Sequence, residues 1–569
     1  MPRPLSRERL PTFALLVGVG VGQALGAVGL ALLVQRAFDE LVAGAGPVSG
    51  GRVLALVAGL LVAVALAAGM RWAERVAAER LGQHYVVELR ALLFDHLTRV
   101  PARELGERSR GSLLLRFVGD LSALRSWVSL GLARLLVAGV AVGLAVLALA
   151  VIAPRLGLAV GVVLALGAGG LQAASPRMLR TARTARRRRA RLTGEVTERL
   201  THVGVLQASG QERRERKRVG RHSDRVSAAM MDKARAAGTA RALAEGTSGL
   251  ATAAVVLVGA FEVRTGSISA GTVVGALAVV GLLSGHLRDL GRVAEYAAGA
   301  RVGREAVRRF LDFPVLPERD GALELVPGPG ALDLEAIALG DVLTGITLRA
   351  AAGQTVAIVG PNGAGKSTLV AVATRQVDPD HGRVRLDGQE LARCSVRSVR
   401  AAIGVSGPDL PLLRGSVDRN VRYRLPRATD QQVARVAELC GLDDLVAELP
   451  GGWRAEVGEV GARLSAGQRA RLSVARALLG EPCLLVLDEA EAHLDQAAAG
   501  LVDRVLTAHT GTALVVTHRR ELVERADVVW CLVDGRVAEV GPPDRLLSGS
   551  GPTARLFARA PALVGGEPT

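Results

Sequence analysis

The stretch Thr355–Ala373 reads TVAIVGPNGAGKSTLVAVA and decides the fold of the second half of the chain. A β-branched run precedes a glycine-rich loop, and helix-forming residues follow the loop, so the stretch predicts a strand, a loop and a helix. GPNGAGKST fits the pattern GxxxxGK[ST] in full. In such a loop the backbone N–H groups converge on phosphate oxygens at a helix N-terminus. The sequence therefore predicts a phosphate-binding site here.

The loop contains two side chains suited to phosphate chemistry. We expect Lys366 to reach the β- and γ-phosphates and the Ser367 hydroxyl to ligate Mg²⁺. The predicted contact residues are Gly360, Pro361, Asn362, Gly363, Ala364, Gly365, Lys366, Ser367 and Thr368. The chain has 71 basic residues, of which only three are lysines. A lysine in such an arginine-rich chain indicates a position where a compact ammonium suits the site.

A second motif, CLLVLDEA (Cys483–Ala490), is an apolar strand that ends in two carboxylates. Asp488 is expected to hold Mg²⁺, and Glu489 to orient or deprotonate the attacking water. Phosphoryl transfer depends on a metal and on a positioned nucleophile, so this pair following a phosphate loop predicts nucleotide hydrolysis.

Between these motifs lies RLSAGQRARLSVARALL (Arg463–Leu479). With the three pieces in this order, the chain resembles the ATP-binding cassette (ABC) transporter family, whose signature LSGGQ is similar to LSAGQ. The resemblance implies that two cassettes pair head to tail, so that each signature contacts ATP on the partner's phosphate loop. The corresponding residues are Ser465, Ala466, Gly467 and Gln468.

Two further motifs extend the resemblance. HLD contains Asp495 at the position of the family's D-loop, and VVTHRR contains His518 at the position of the switch histidine that contacts the γ-phosphate. The resemblance thus implies a catalytic set of Glu489, His518 and Lys366, with ATP as substrate and Mg²⁺ as cofactor.

The first half of the chain predicts a membrane domain. Hydrophobic residues make up 49% of the sequence, and stretches free of charge recur at Thr12–Val34, Val53–Met70, Leu135–Ala153, Leu156–Ser175, Gly246–Phe261 and Thr265–His286. Most approach the roughly 20 residues that a helix needs to cross a bilayer. A buried helix of a soluble protein would explain one such run but not six, so a soluble cassette protein of DNA repair or translation is excluded.

Charge sets the expected orientation of these spans. Residues 1–330 contain 44 Lys and Arg against 25 Asp and Glu, whereas the rest contain 27 against 29. The arginines concentrate in the long segments Arg71–Arg134 and Arg177–Arg241. By the positive-inside bias, these segments, the N-terminus and the cassette are cytoplasmic. We interpret the arginine-rich TARTARRRRARL (Thr181–Leu192) as a topological signal, not as a nucleic-acid site.

The expected architecture is a multidomain membrane protein. It comprises a six-helix all-α transmembrane domain at 1–312, a linker rich in Pro and Gly at 313–331, and an α/β P-loop cassette at 332–569. The segments Leu89–Leu124 and Val205–Val219 resemble the family's two intracellular loops, whose short coupling helices dock on the cassettes.

The resemblance implies an exporter-type (type IV) half-transporter in a bacterial inner membrane, an ATPase that moves an unidentified substrate out of the cytoplasm or across leaflets. It implies a dimer, and we favour a homodimer. The alternative is an ATP-binding regulatory or weakly catalytic half of a heterodimer.

One departure from the family pattern keeps this alternative open. IGVSGPDLPLLRGSVDRNV (Ile403–Val421) aligns at both ends with a family loop that carries a glutamine near Mg²⁺, but Pro408 occupies that position. Proline has no side-chain amide and no backbone N–H. We expect a water molecule or a neighbour such as Asp409 to replace the contact.

A second departure concerns the base of the nucleotide. Family cassettes usually stack adenine on an aromatic residue before the phosphate loop, yet no Phe, Tyr or Trp occurs between Phe313 and Tyr423. Leu339 or Val342 is the expected apolar substitute.

Two other residue types carry weaker signals. The four cysteines are far apart and form no CxxC pair, so we expect buried thiols, not a metal site. Gln23, Gln35 and Gln172 lie in or beside the spans and are candidates either for packing or for a translocation path.

Overall fold

The computed structural model describes residues 6–42, 49–101, 119–318, 321–490 and 500–558. The chain forms two compact units, Met1–Val315 and Leu316–Thr569. The first unit is helical and the second combines helices with two β-sheets.

Long helices build the first unit. They are α1 (Leu10–Leu41), α2 (Gly50–Arg99), α3 (Leu121–Ile152), α4 (Pro154–Thr201), the short α5 (Val203–Ala208), α6 (Glu212–Arg264) and α7 (Ala270–Leu311). Among the described residues, six of these helices, all except α5, are long and apolar enough to cross a membrane. The prediction of six spans in an all-α membrane domain is confirmed.

Three of the helices are much longer than a bilayer requires. α2, α4 and α6 contain 50, 48 and 53 residues. At about 1.5 Å per residue each exceeds 70 Å, more than twice the roughly 30 Å of hydrocarbon. These helices therefore continue well past their apolar stretches, into the two arginine-rich segments. Residues 102–118 of the first expected intracellular loop lie outside the described residues, whereas the second overlaps the end of α5 and the start of α6.

Two spans begin at residues other than those predicted from sequence, because single residues determine where their helices start. α4 begins at Pro154, inside the short segment predicted to separate spans 3 and 4, since proline is favoured in the first turn of a helix. The last span begins at Ala270 instead of Thr265, because the Ser269 hydroxyl accepts a hydrogen bond from Thr272 N and caps the helix.

The arginine-rich stretch Thr181–Leu192 lies on α4, and two of its arginines form ion pairs. Arg186 donates to both carboxylate oxygens of the buried Asp120, and Arg183 pairs with Glu305 on α7. A buried carboxylate is costly unless it is paired and hydrogen-bonded. The stretch therefore contributes to packing within the membrane domain in addition to its predicted role in topology.

Two of the glutamines singled out in the spans make packing contacts. Gln23 donates to Glu74 Oε2 at 2.9 Å, and Gln35 donates to Thr272 Oγ1 at 3.1 Å. Both bonds link neighbouring helices of the same unit, in agreement with the packing interpretation.

In the part of the chain that the structure describes, the second unit contains ten strands in two sheets. They are β1 (Leu332–Leu339), β2 (Leu343–Ala350), β3 (Thr355–Val359), β4 (His381–Leu386), β5 (Gln389–Glu390), β6 (Ile403–Ser406), β7 (Leu484–Asp488), β8 (Thr512–Val516), β9 (Val528–Val533) and β10 (Arg536–Gly541). The larger sheet has the order β10-β9-β3-β8-β7-β6, and the smaller antiparallel sheet has the order β2-β1-β4-β5. The described helices are α8 (Lys366–Ala373), α9 (Val396–Ala402), α10 (Val417–Val421), α11 (Asp430–Cys440), α12 (Leu442–Glu448), α13 (Ala466–Leu478), α14 (Leu501–Ala508), α15 (Arg520–Glu524), α16 (Pro543–Ser548) and α17 (Pro552–Phe557).

The register of the larger sheet places several chain segments at one edge. Val516 on β8 lies level with Ile358 on β3 and with Asp488 on β7. On the next strand, Ser406 lies level with Leu487. Because these strands are parallel, the loops that follow them leave the sheet at the same edge, which is where ligands bind in open α/β sheets.

Candidate functional site

The phosphate loop connects β3 to α8 and depends on its glycines. Gly360, Gly363 and Gly365 have φ angles of 151°, 83° and 95°, in a region that residues with a side chain rarely adopt. A Cβ atom on Gly360 would lie 2.2 Å from the carbonyl oxygen of Leu532 on β9. The sequence GPNGAGKST is thus required by the path of the backbone as well as by ligand chemistry.

Lys366 is held inside this loop. Its Nζ donates to the carbonyl oxygens of Gly360, at 2.8 Å, and Pro361, at 3.1 Å, and the residue is buried. Burial lowers the pKa of the Lys366 ammonium, and the nearby carboxylates of Glu489 and Asp488 oppose this effect. The ammonium is therefore positioned close to both motif carboxylates.

Glu489 follows β7 in an unusual backbone conformation. Its φ angle is +49°, which is uncommon for a residue with a side chain, and its N–H donates to Val516 O at 3.0 Å. Backbone strain of this kind is concentrated at functional sites, where the surrounding structure holds the residue in place. The turn directs the Glu489 carboxylate toward His518, with 3.5 Å between Oε1 and Nε2.

His518 follows β8, two residues beyond the level of Asp488. The turn that carries it is fixed by Thr517, whose Oγ1 accepts a hydrogen bond from Arg519 N at 3.0 Å. Lys366, Asp488, Glu489 and His518 thus meet at one sheet edge, although 152 residues separate the first from the last. The predicted D-loop residue Asp495 lies outside the described residues.

The donors near the loop suit Mg²⁺. Ser367 is exposed in the first turn of α8, and Asp488 ends β7. Within the described residues no group of three or more His, Cys, Asp or Glu side chains forms a metal cage. Mg²⁺ characteristically binds one or two protein oxygens together with substrate phosphates and water. A hydroxyl and a carboxylate beside a phosphate loop therefore fit this ion.

The signature residues begin α13. Ser465 caps this helix: its Oγ accepts from Gln468 N at 3.1 Å, and Gln468 Oε1 accepts from Ser465 N at 2.9 Å. The first turn of this 13-residue helix contains Ala466 and Gly467. Backbone N–H groups of that turn point out of the end of the helix. Such an N-terminus favours anions.

The loop with Pro408 borders a cleft of about 260 Å³ that opens to solvent. The cleft is lined by residues of β6, α13 and the end of β7, among them Ser406, Pro408, Ala466, Ser473, Asp488 and Glu489. A Cβ atom on Gly407 would lie 3.1 Å from Asp488 Cβ, so the loop passes close to Asp488, the predicted metal ligand. Asp409, expected as a substitute for the missing glutamine, is exposed and does not line the cleft.

A short hairpin turn between β1 and β2 lies beside the phosphate loop. Leu339 pairs with Leu343, and the turn between them is pinned by Gly340 N, which donates to Asp380 Oδ2 at 2.7 Å. A Cβ atom on Gly365 would lie 3.6 Å from Val342 Cγ1. The side of the phosphate loop that faces this turn therefore contacts an aliphatic residue.

Comparisons with known proteins agree with this architecture. A family model described as the ABC transporter transmembrane region matches residues 13–287, and one described as ABC transporter matches residues 343–492. A solved structure of a bacterial Atm1-family ABC exporter with ATP bound has a TM-score of 0.87 at 23% identity, and the match covers 97% of this chain and 99% of that one. This structural likeness shows the fold.

Two relatives are similar in sequence. A multidrug efflux ATP-binding/permease protein of Mycobacterium tuberculosis is 32% identical over 573 residues, which cover 96% of this chain and 46% of the relative. An ATP-dependent lipid A-core flippase of Chromobacterium violaceum is 29% identical over 493 residues, or 85% of this chain and 83% of the relative. The chain spans about half the length of the mycobacterial relative.

The fold and the site define a multi-pass membrane protein with a fused P-loop cassette. The chain belongs to the ABC transporter family, with the architecture of its exporters.

Proposed function

We propose that this chain hydrolyses ATP to drive export of a substrate from the cytoplasm or between leaflets. The observation that supports this most strongly is the convergence of Lys366, Asp488, Glu489 and His518 at one edge of the cassette sheet. The transmembrane domain at 1–312 would carry the substrate path, and the cassette at 332–569 would supply the energy.

Within the site, each side chain has a role that follows from its chemistry. The Glu489 carboxylate accepts a proton from the attacking water, and the single N–H of His518 Nε2, 3.5 Å from Oε1 before nucleotide binds, donates to the γ-phosphate once ATP is present. Lys366 neutralises charge on the β- and γ-phosphates, together with the backbone N–H groups of the loop. Ser367 and Asp488 would hold Mg²⁺, which would supply positive charge against the negative charge that develops on the phosphates.

The signature implies that two cassettes act together. Ser465, Ala466, Gly467 and Gln468 begin a helix whose N-terminus favours anions. We propose that this N-terminus contacts ATP bound by a second copy. One chain contains a phosphate loop, a signature, Glu489 and His518, so two copies supply two full sets of residues and a homodimer is favoured.

The substrate and its location are inferred from the relatives. Their names refer to multidrug efflux and to a lipid A-core flippase, so we propose an apolar or amphipathic substrate. Since both relatives are bacterial, we propose that the chain resides in a bacterial inner membrane, with its arginine-rich segments and cassette in the cytoplasm.

A second candidate function is an ATP-binding regulatory or weakly catalytic half of a heterodimer. Pro408 favours it, since a proline at the cleft beside Asp488 removes the side chain with which family members contact the metal. The complete set of loop, carboxylate and histidine residues favours the catalytic proposal.

Phosphate release by the full chain, purified alone and reconstituted in lipid, separates the two. The catalytic proposal expects Mg²⁺-dependent turnover that Lys366→Ala abolishes and that Lys233→Ala leaves unchanged. Lys233 is a suitable control because it is another of the three lysines and pairs with Glu295 within the membrane unit, away from the phosphate loop in the chain. ATP binding without turnover would instead support the regulatory function.

A further inference from the structure

The loop that follows β6 contains a four-residue stretch, Pro408–Pro411, whose backbone is restricted at both ends. This stretch reads PDLP, so its first and last residues are prolines with fixed backbone φ angles. Leu410 N donates to Gly407 O at 3.1 Å, which closes the stretch into a turn. The Leu412 side chain that follows is buried in the core around α13. The stretch is therefore expected to move as one piece, not residue by residue.

One arginine of the signature helix holds this stretch. Arg476 on α13 donates from Nη1 to Pro411 O at 3.0 Å and from Nη2 to Leu410 O, so both arms of its guanidinium contact consecutive carbonyls. Nη2 also lies 3.4 Å from Ser473 Oγ. A planar guanidinium presents its donors in a fixed fork that matches this two-pronged contact, whereas a lysine ammonium is a single point with rotating donors.

These carbonyls stabilise the positive charge of the Arg476 guanidinium. Among the residues that the structure describes, no carboxylate lies within ion-pair distance of it, and its acceptors there are the two carbonyls and one hydroxyl. Burial lowers the pKa of Arg476. A half-buried cation without its acceptors is costly, so a displacement of the loop relative to α13 is opposed by the loss of both contacts.

A second contact links the same two elements nearer to the metal-binding carboxylate. Ser406, at the end of β6, donates to Ser473 Oγ at 2.9 Å. The residue after Ser406 is Gly407, whose Cα faces Asp488 so closely that a Cβ atom would lie 3.1 Å from Asp488 Cβ. The turn thus lies against Asp488 at one end and contacts the signature helix at the other.

From this arrangement we propose that Arg476 is a positioning residue, which transmits the state of the Asp488 site to the signature helix through the backbone of the Pro408–Pro411 turn. The inference rests on the proposed function, because it concerns when ATP is hydrolysed across a dimer. A change at Asp488 moves the rigid turn, and the turn moves α13 through Arg476. The N-terminus of α13 carries Ser465 and Gly467, so the partner's ATP is contacted or released accordingly.

Arg476 contacts the backbone of the turn, and this contact differs from one made by a glutamine side chain at the metal. Pro408 supplies no amide that could report on the metal, but the carbonyls of Leu410 and Pro411 remain available. Arg476 would therefore act on the rate of hydrolysis and not on the binding of nucleotide to the phosphate loop of its own chain.

The test compares R476Q, R476K and the control R435Q in the full chain reconstituted in lipid. Arg435 is a surface arginine whose only described ion pair, with Glu481, joins two exposed side chains. For each variant, kcat for ATP, the Kd of a fluorescent ATP analogue without Mg²⁺, and Tm are measured. R476Q should lower kcat roughly 10- to 100-fold, since two hydrogen bonds from a charged donor are lost. Its nucleotide Kd should change less than about threefold, because the phosphate loop is untouched.

R476K should retain part of the rate, because a single ammonium nitrogen lacks the fixed two-armed fork of the guanidinium, and R435Q should keep the wild-type rate. Combining R476Q with P408Q adds an independent side chain beside Asp488, so the loss caused by R476Q should shrink in that background.

Three results would overturn the proposal: wild-type kcat in R476Q, wild-type kcat in R476K, or equal losses from R476Q with and without P408Q. If R476Q lowered nucleotide affinity and Tm together with kcat, Arg476 would act in folding and the proposal would be wrong. A wild-type chain that binds ATP without hydrolysing it would contradict the proposed function instead.

Discussion

Replacing Glu489 by glutamine keeps the size of the side chain and its ability to hydrogen-bond, but removes the group that accepts a proton. The backbone at this position is held at a φ of +49° by the end of β7 and by the hydrogen bond from Glu489 N to Val516 O. Because these constraints act on the backbone, the amide of the variant should occupy the place of the carboxylate, 3.5 Å from His518 Nε2.

The expected magnitude follows from the role of the lost group. Positioned general bases contribute roughly 10²- to 10⁴-fold to a rate, or about 3–5 kcal/mol in activation free energy. Nucleotide affinity should not fall, because the Lys366 ammonium and the loop amides stay in place and one negative charge near the triphosphate is removed. The variant should therefore bind ATP at least as tightly as the wild type and hydrolyse it at least about 100-fold more slowly.

Phosphate release and nucleotide binding by the reconstituted chain measure these two quantities. Glu481→Gln is a matched control, since Glu481 precedes β7, has a φ of +50° and is exposed. The control should keep the wild-type rate. Turnover of Glu489→Gln close to that of the wild type would refute the assignment of the base, and a large loss in the control would attribute the effect to backbone strain.

Further predictions concern the histidine, the base and the thiols. His518→Ala should lower kcat roughly tenfold or more with little change in ATP affinity, because the imidazole acts on the Glu489 carboxylate 3.5 Å away and on the reacting phosphate; an unchanged rate would exclude that role. GTP should be hydrolysed within a few-fold of ATP, because the residue beside the phosphate loop is the aliphatic Val342, which cannot stack on a base as an aromatic ring does. Leu339→Tyr should tighten nucleotide binding if the new ring stacks on the base. A preference for ATP in kcat/KM above about thirtyfold, or roughly 2 kcal/mol, would mean that another group reads the base. Iodoacetamide at pH 8 should leave all four buried cysteines unlabelled until the protein unfolds, because burial raises the pKa of the Cys440 thiol to about 12 and keeps it protonated; rapid labelling of the native chain would contradict their burial.

Most of the fold was predictable because its signals are local. Runs without charge predicted six membrane helices, and the glycine-rich loop after a β-branched strand predicted a P-loop cassette. The boundaries at Pro154 and Ser269 were misplaced because hydropathy does not register helix caps, which are set by single residues.

The site was predictable where a motif is contiguous and not where contacts are distant in sequence. Lys366, Asp488 and Glu489 stand in motifs, and their meeting follows from the order of parallel strands. The positive φ angle of Glu489 could not be predicted from the amino-acid sequence. Arg476 contacts carbonyls 65 and 66 residues away, and backbone carbonyls carry no sequence signal, so its position required the tertiary structure.

The proposed mechanism requires that two copies of this chain build two complete ATP sites. Native mass spectrometry of the Glu489→Gln chain, purified alone and trapped with ATP and Mg²⁺, tests this requirement most directly. We expect a dimer of this chain with two bound ATP molecules, since each copy supplies both a phosphate loop and a signature. A monomer with bound ATP, a dimer with a single ATP, or equal amounts of a different cassette chain would contradict the mechanism.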